Sequence, residues 1–178
     1  MTASAQTGEL DRPGAARRGR ASRGERLGGF IYGTIVVLSV VVAGARAYPH
    51  EPGHIAALAM VTSGVFWLAH VYSHGLAHSV AHDEHLSLVE LGHIARREGS
   101  IVEAALPPVG ALLLGAFGIV SAQVALWAAL GLGLAVLVVE GVTFAHVERL
   151  GRLGTLLVVV ANLGLGVLLI GVKLVLTH

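Results

Sequence analysis

Apolar residues in this chain fall into five long runs, at 27–47, 54–77, 103–120, 124–145 and 153–176, separated by short polar or proline-bearing stretches. About 20 apolar residues in helical form cross a hydrocarbon core about 30 Å thick. The pattern therefore predicts an all-α fold, a polytopic membrane helix bundle of five transmembrane helices. Pro49 closes the first run, and Pro107 and Pro108 fall in the first turns of the third, where a missing N–H costs least. Ser121-Ala122-Gln123 makes a short turn before the fourth run. Gly131-x-Gly133, and Gly164-x-Gly166 with Gly171, are small residues that let helix backbones approach closely where lipid supplies no hydrophobic drive.

Composition agrees with this pattern. Hydrophobic residues make up 54% of the chain and charged residues 13%, with a mean hydropathy of +0.76. A soluble domain carries about 25% charged residues, because its surface faces water. With no cysteine, thiolate ligands, disulfides and cysteine nucleophiles are excluded. Eleven arginines to one lysine, among abundant Ala, Gly and Val, suggest a GC-rich bacterial genome and hence a multi-pass protein of a bacterial plasma membrane.

The arginines also orient the chain. Residues 1–26 hold Arg12, Arg17, Arg18, Arg20, Arg23 and Arg26 among Ala, Gly, Ser and Pro, and have little apolar surface to bury. They predict a disordered cytoplasmic tail that acts as a topogenic signal and touches anionic lipid; no nucleic-acid partner is expected. With the N-terminus inside and the C-terminus outside, Arg96, Arg97, Arg149 and Arg152 join the tail on the cytoplasmic side, leaving Arg46 and Lys173 at outer helix ends. Ala45-Arg46-Ala47 imitates a signal-peptide cleavage motif, but the preceding run is longer than a usual signal core, so it reads as a span. Residues 27–178 then form one bundle, with a His-rich polar helical segment at 78–102 on the cytoplasmic side.

Histidines carry the candidate chemistry. His70, His74, His78, His82 and His85 are spaced 4, 4, 4 and 3, which stacks them along one slowly drifting helix face. Neutral imidazole ligates divalent transition metals, and a pair at i and i+4 can share one ion. His78, His82 and His85 are the weaker candidates, since a polar helix face at a membrane surface is ordinary. His70 lies 16 residues after His54 and Glu140 lies 16 after Val124, so both are about 24 Å from the outer boundary. Tyr32, Thr34, Thr143 and His146 approach the same level from their own helices. The expectation is one polar layer, with His70, His74, Glu140 and His146 as a metal site or a proton-carrying group, and with the helices bearing His70 and Glu140 packed together. Asn162 reads as interhelical glue and Trp67 as packing.

Five helices with a polar helical segment after the second resemble the vacuolar iron transporter family in topology, but the acidic, methionine-bearing pore is absent: helix 1 reads Gly29-Phe30-Ile31-Tyr32-Gly33. His70-x-x-x-His74 and His82-x-x-His85 resemble membrane fatty-acid hydroxylases, yet no adjacent His-His pair exists to complete a diiron set. Neither resemblance assigns the chain to a family. No Walker loop, G-x-S-x-G, HExxH or dinucleotide fingerprint marks a catalytic residue. Three readings stand: a membrane protein that transports or senses a transition-metal cation, a proton pathway or pH-responsive membrane protein, and a non-catalytic membrane subunit with a histidine interaction face. Lipid is the expected partner in each, and a homo-oligomer is compatible with all three.

Overall fold

The computed structural model describes residues 12–82 and 87–175, and the described chain is helical without strands. The elements are α1 (Arg12–Ala47), α2 (Pro52–His82), α3 (Leu88–Glu98), α4 (Ser100–Glu103), α5 (Leu106–Ala116), α6 (Ala122–Val147) and α7 (Arg152–Val175). Among the described residues, three helical segments are long and apolar enough to cross a membrane: Arg26–Ala47, Pro52–Val80 and Ala122–Val147. A fourth crossing is added if Leu88–Glu103 and Leu106–Ala116, bent by 50° at their junction, act as one broken span. Arg152–Leu168 is a shorter apolar helix.

The helix ends follow local chemistry. Helix α1 begins at Arg12, so residues 12–26, expected to be disordered, continue the helix; residues 1–11 lie outside the described residues. Arginine and alanine are good helix formers, and the apolar helix they extend removes the cost of nucleation. The break between α4 and α5 sits just before Pro107 and Pro108. Neither proline has an N–H to bond the carbonyl four residues earlier, and each ring crowds that carbonyl. Helix α6 starts at Ala122 because the Ser121 hydroxyl accepts from the Val124 N–H at 3.3 Å.

Helix α1 packs against both α2 and α6, while α2 and α6 touch each other little. Its inward face repeats with helical period: Thr34, Val37, Leu38 and Val41 are fully buried. Ile55, Ala56 and Ala59 of α2, Val109 and Leu112 of α5, and Leu126 and Ala129 of α6 close the core around it. Helix α6 buries every fourth residue: Ala125, Ala129, Gly133, Leu137, Gly141 and Ala145. This mostly small stripe admits its neighbours. Leu38 fills the notch at Gly133, Val159 and Asn162 meet Gly141, and Leu137 fits over Gly166. Of the glycines singled out in the sequence, Gly133 and Gly166 are thus at interfaces, whereas Gly131, Gly164 and Gly171 have nothing within 4 Å of where a side chain would begin.

Polar groups inside the apolar helices are satisfied locally. Thr34, Ser39, Ser63 and Thr143 each donate to the carbonyl four residues back. Asn162 of α7, nearly buried, donates through Nδ2 to the Leu137 carbonyl of α6 at 3.4 Å, the interhelical role its sequence position suggested. Large apolar side chains such as Val65, Leu68, Trp127, Leu157 and Val160 stand exposed around the outside, more than a water-facing monomer displays.

Candidate functional site

Helix α2 carries His70, His74 and His78 on successive turns, and α3 folds back beside them. Three contacts from one stretch of α2 clip the two helices together. The Trp67 indole donates from Nε1 to the Ala95 carbonyl at 2.9 Å, so this ring is a tether as well as packing. His74 Nδ1 meets Glu98 Oε1 at 2.8 Å, and the Glu98 side chain is only 10% exposed. His78 Nε2 lies 3.7 Å from Glu90 Oε1, an ion pair when the ring is protonated.

Glu90 is fixed from its own side as well. Ser87 caps α3 by accepting from the Glu90 N–H, and Glu90 returns the contact by accepting from the Ser87 N–H. Glu90 lies in the first turn of α3, with its side chain 44% exposed. The bond from the Ser87 N–H, then that from its hydroxyl, and His78 nearby hold its carboxyl below the ordinary range. The stabilisation this gives is present above the ordinary carboxylate range and is lost as pH falls through the lowered value.

His70 sits one turn inward of His74, with ring centroids 6.2 Å apart. Its Nδ1 donates to the Phe66 carbonyl at 3.0 Å, since a carbonyl only accepts. Tyr32 of α1 covers this ring, centroid to centroid 5.1 Å, and Phe66 at 5.9 Å. An aromatic wall on one side and a buried carboxylate on the other thus flank two imidazoles in series.

No family model, curated protein or solved structure matches the chain.

The expected polar layer is divided in two by α1. Tyr32 faces His70, while Leu27 and Phe30 face Glu140 and Thr143 across a separate cleft. Phe30 and Tyr32 are two residues apart, and at 3.6 residues per turn that is about 200° around the helix. His70 and Glu140 therefore lie against opposite sides of α1, and the helices that carry them do not pack together as expected. Among the described residues no group of three or more His, Asp or Glu side chains is arranged to hold a metal ion. Thr34 is buried and spends its hydroxyl on the Phe30 carbonyl. His146 is exposed and bonds the Val142 carbonyl through Nδ1 at 2.8 Å. His82 is the last residue of α2; its side chain and all of His85 lie outside the described residues.

Glu98, Glu103 and Ser100 were not singled out by the sequence, and Arg26 only as one of six tail arginines. Arg26 Nη2 bonds Glu103 Oε2 at 2.8 Å, joining the start of the apolar part of α1 to α4. The Ser100 hydroxyl is buried over Gly29 with no hydrogen-bond partner among the described residues. Glu98 offers one sequence signal: it is an acid immediately before Gly99, at the end of a helix whose last turn is otherwise basic.

Proposed function

We propose that this chain is a pH-responsive integral membrane protein in which the α2–α3 junction is the responding element. The observation that carries the reading is the 2.8 Å contact between His74 Nδ1 and the nearly buried Glu98 carboxylate. Histidine is the side chain whose charge ordinarily changes between pH 5 and 8. Protonation turns a hydrogen bond to a carboxylate into a charge-assisted ion pair, which is stronger. The His74–Glu98 and His78–Glu90 contacts both join α3 to α2. His70, against Tyr32, is the next imidazole along the helix.

Trp67 supplies the readout, because its indole N–H is bonded to α3. In a Trp127→Phe background, emission from Trp67 is expected to change sigmoidally between pH 5 and 8 and to become flat in Glu98→Gln. A wild-type signal that does not move over this range overturns the reading.

A transition-metal site is the weaker reading. Glu140 is across α1 from His70 and His74, and among the described residues no three His, Asp or Glu side chains are arranged to hold an ion.

The membrane arrangement belongs to the same proposal: five spans in a bacterial plasma membrane, with the N-terminus and α3 in the cytoplasm. Its support is the three or four crossings that the described helices allow, the shorter apolar helix Arg152–Leu168 as a further one, and the ten of twelve cations that fall on one side if the N-terminus is inside. Reporter fusions are expected to be active externally only after residues near Gly53 and Gln123 and at the C-terminal end. An external reading near Arg97 excludes this orientation.

A further inference from the structure

We propose that the cleft between α1 and α6, on the side of α1 away from the histidines, binds the headgroup of phosphatidylethanolamine. The cleft has a volume of about 270 Å³ and is lined by Arg26, Leu27, Phe30, Glu140, Thr143 and Val147. At about 30 Å³ per water this is room for about nine waters, enough for a small zwitterionic headgroup.

Two charged groups of opposite sign line it. Glu140 Oε2 is buried and has no hydrogen-bond partner among the described residues. A carboxylate within a membrane helix is costly unless it meets a partner or a wet cavity. A primary ammonium brings three N–H donors to such an oxygen, whereas a trimethylated ammonium brings none. Arg26 lines the same cleft but directs Nη2 to Glu103. A guanidinium has five N–H donors in a planar fork, so this bond leaves others for a phosphate. The Thr143 hydroxyl is already used on the Val139 carbonyl, which leaves the carboxylate and the guanidinium as the specificity-determining pair.

Position favours a lipid over a soluble amine. Arg26 begins the apolar part of α1, and Glu140 lies seven residues, about 10 Å, before the end of α6 at Val147. Arg26 is therefore at the level where apolar helix gives way to polar, the depth of a phosphate, and the ethanolamine arm folds inward to reach the Glu140 carboxylate. Leu27, Phe30 and Val147 supply the apolar walls of the cleft.

The test is native mass spectrometry of the full chain released from nanodiscs that contain equal phosphatidylethanolamine, its N-methylated series through phosphatidylcholine, and phosphatidylglycerol. Wild type is expected to retain phosphatidylethanolamine about ten-fold over phosphatidylcholine, the effect of one charge-assisted hydrogen bond, with retention falling along the methyl series. Glu140→Gln should abolish that preference, and Arg26→Gln should weaken all the phospholipids alike. Glu103→Gln frees Arg26 without altering the cleft and should leave the preference intact. Equal retention of ethanolamine and choline lipids by wild type overturns the proposal, and this arm needs no variant to fold. Competition by soluble phosphoethanolamine at equal concentration overturns the lipid as occupant.

Discussion

Gly33→Leu is expected to prevent assembly of the bundle, and Gly33→Ala to lower its stability by about 1–3 kcal/mol, the usual range for overpacking. A Cβ on Gly33 would stand 2.6 Å from the Ile101 carbonyl oxygen and 2.9 Å from the Ile101 Cα. Both are backbone atoms of α4, so no side-chain rotation relieves the clash; α1 and α4 must separate. Separation would also loosen Arg26 from Glu103 and uncover buried Ile101 and Ala104. Gly64 of α2 is the control, with nothing within 4 Å of its would-be Cβ. Gly64→Ala should be neutral or stabilising by up to about 1 kcal/mol, because alanine is the better helix former. Thermal unfolding in detergent, followed by circular dichroism, compares the two. Equal stability of Gly33→Ala and wild type would mean that α1 and α4 are not in the contact described.

His74→Ala should release α3 while leaving the rest of the bundle folded. The substitution removes the imidazole from a carboxylate whose side chain is 10% exposed. A nearly buried charged acceptor left without its donor costs about 1–3 kcal/mol, concentrated where the lost contact was. Hydrogen exchange should accordingly accelerate in residues 88–98 and remain slow in α1 and α6. Glu98→Gln still presents an oxygen to the ring, so its effect at neutral pH should be smaller. The His78–Glu90 pair is longer, at 3.7 Å, with both side chains about 40% exposed, and solvent screening limits such pairs to about 0–1 kcal/mol. Unchanged exchange across α3 in His74→Ala would remove the basis for a His74-dependent junction.

Helix formation and the apolar character of the segments were legible in the residue pattern, because both are local. A long apolar run, a proline pair that interrupts it and a serine that caps the next helix act through neighbours a few residues away. Counting residues from a helix end gives an expected depth for His70 and Glu140 in the same local way. Azimuth was not legible. Which face of α1 each residue meets depends on how three helices are rotated against one another, and side-chain shape at the contacts sets that rotation. Tyr32 and Phe30 are two residues apart in the pattern yet face opposite ways, so residues expected in one layer became two sites.

The partners of these groups were equally beyond local reading. Glu98 is 24 residues from His74 and Glu103 is 77 from Arg26, distances over which chain order carries no contact information. Gly131 and Gly133 look equivalent as a pair, but only Gly133 lies on the every-fourth-residue stripe of α6 that receives Leu38. The amino-acid order determined which segments became helices and which polar groups entered the apolar layer. The packing of α1 between α2 and α6 decided which of those groups meet, because a helix is too wide for side chains on its opposite faces to reach each other.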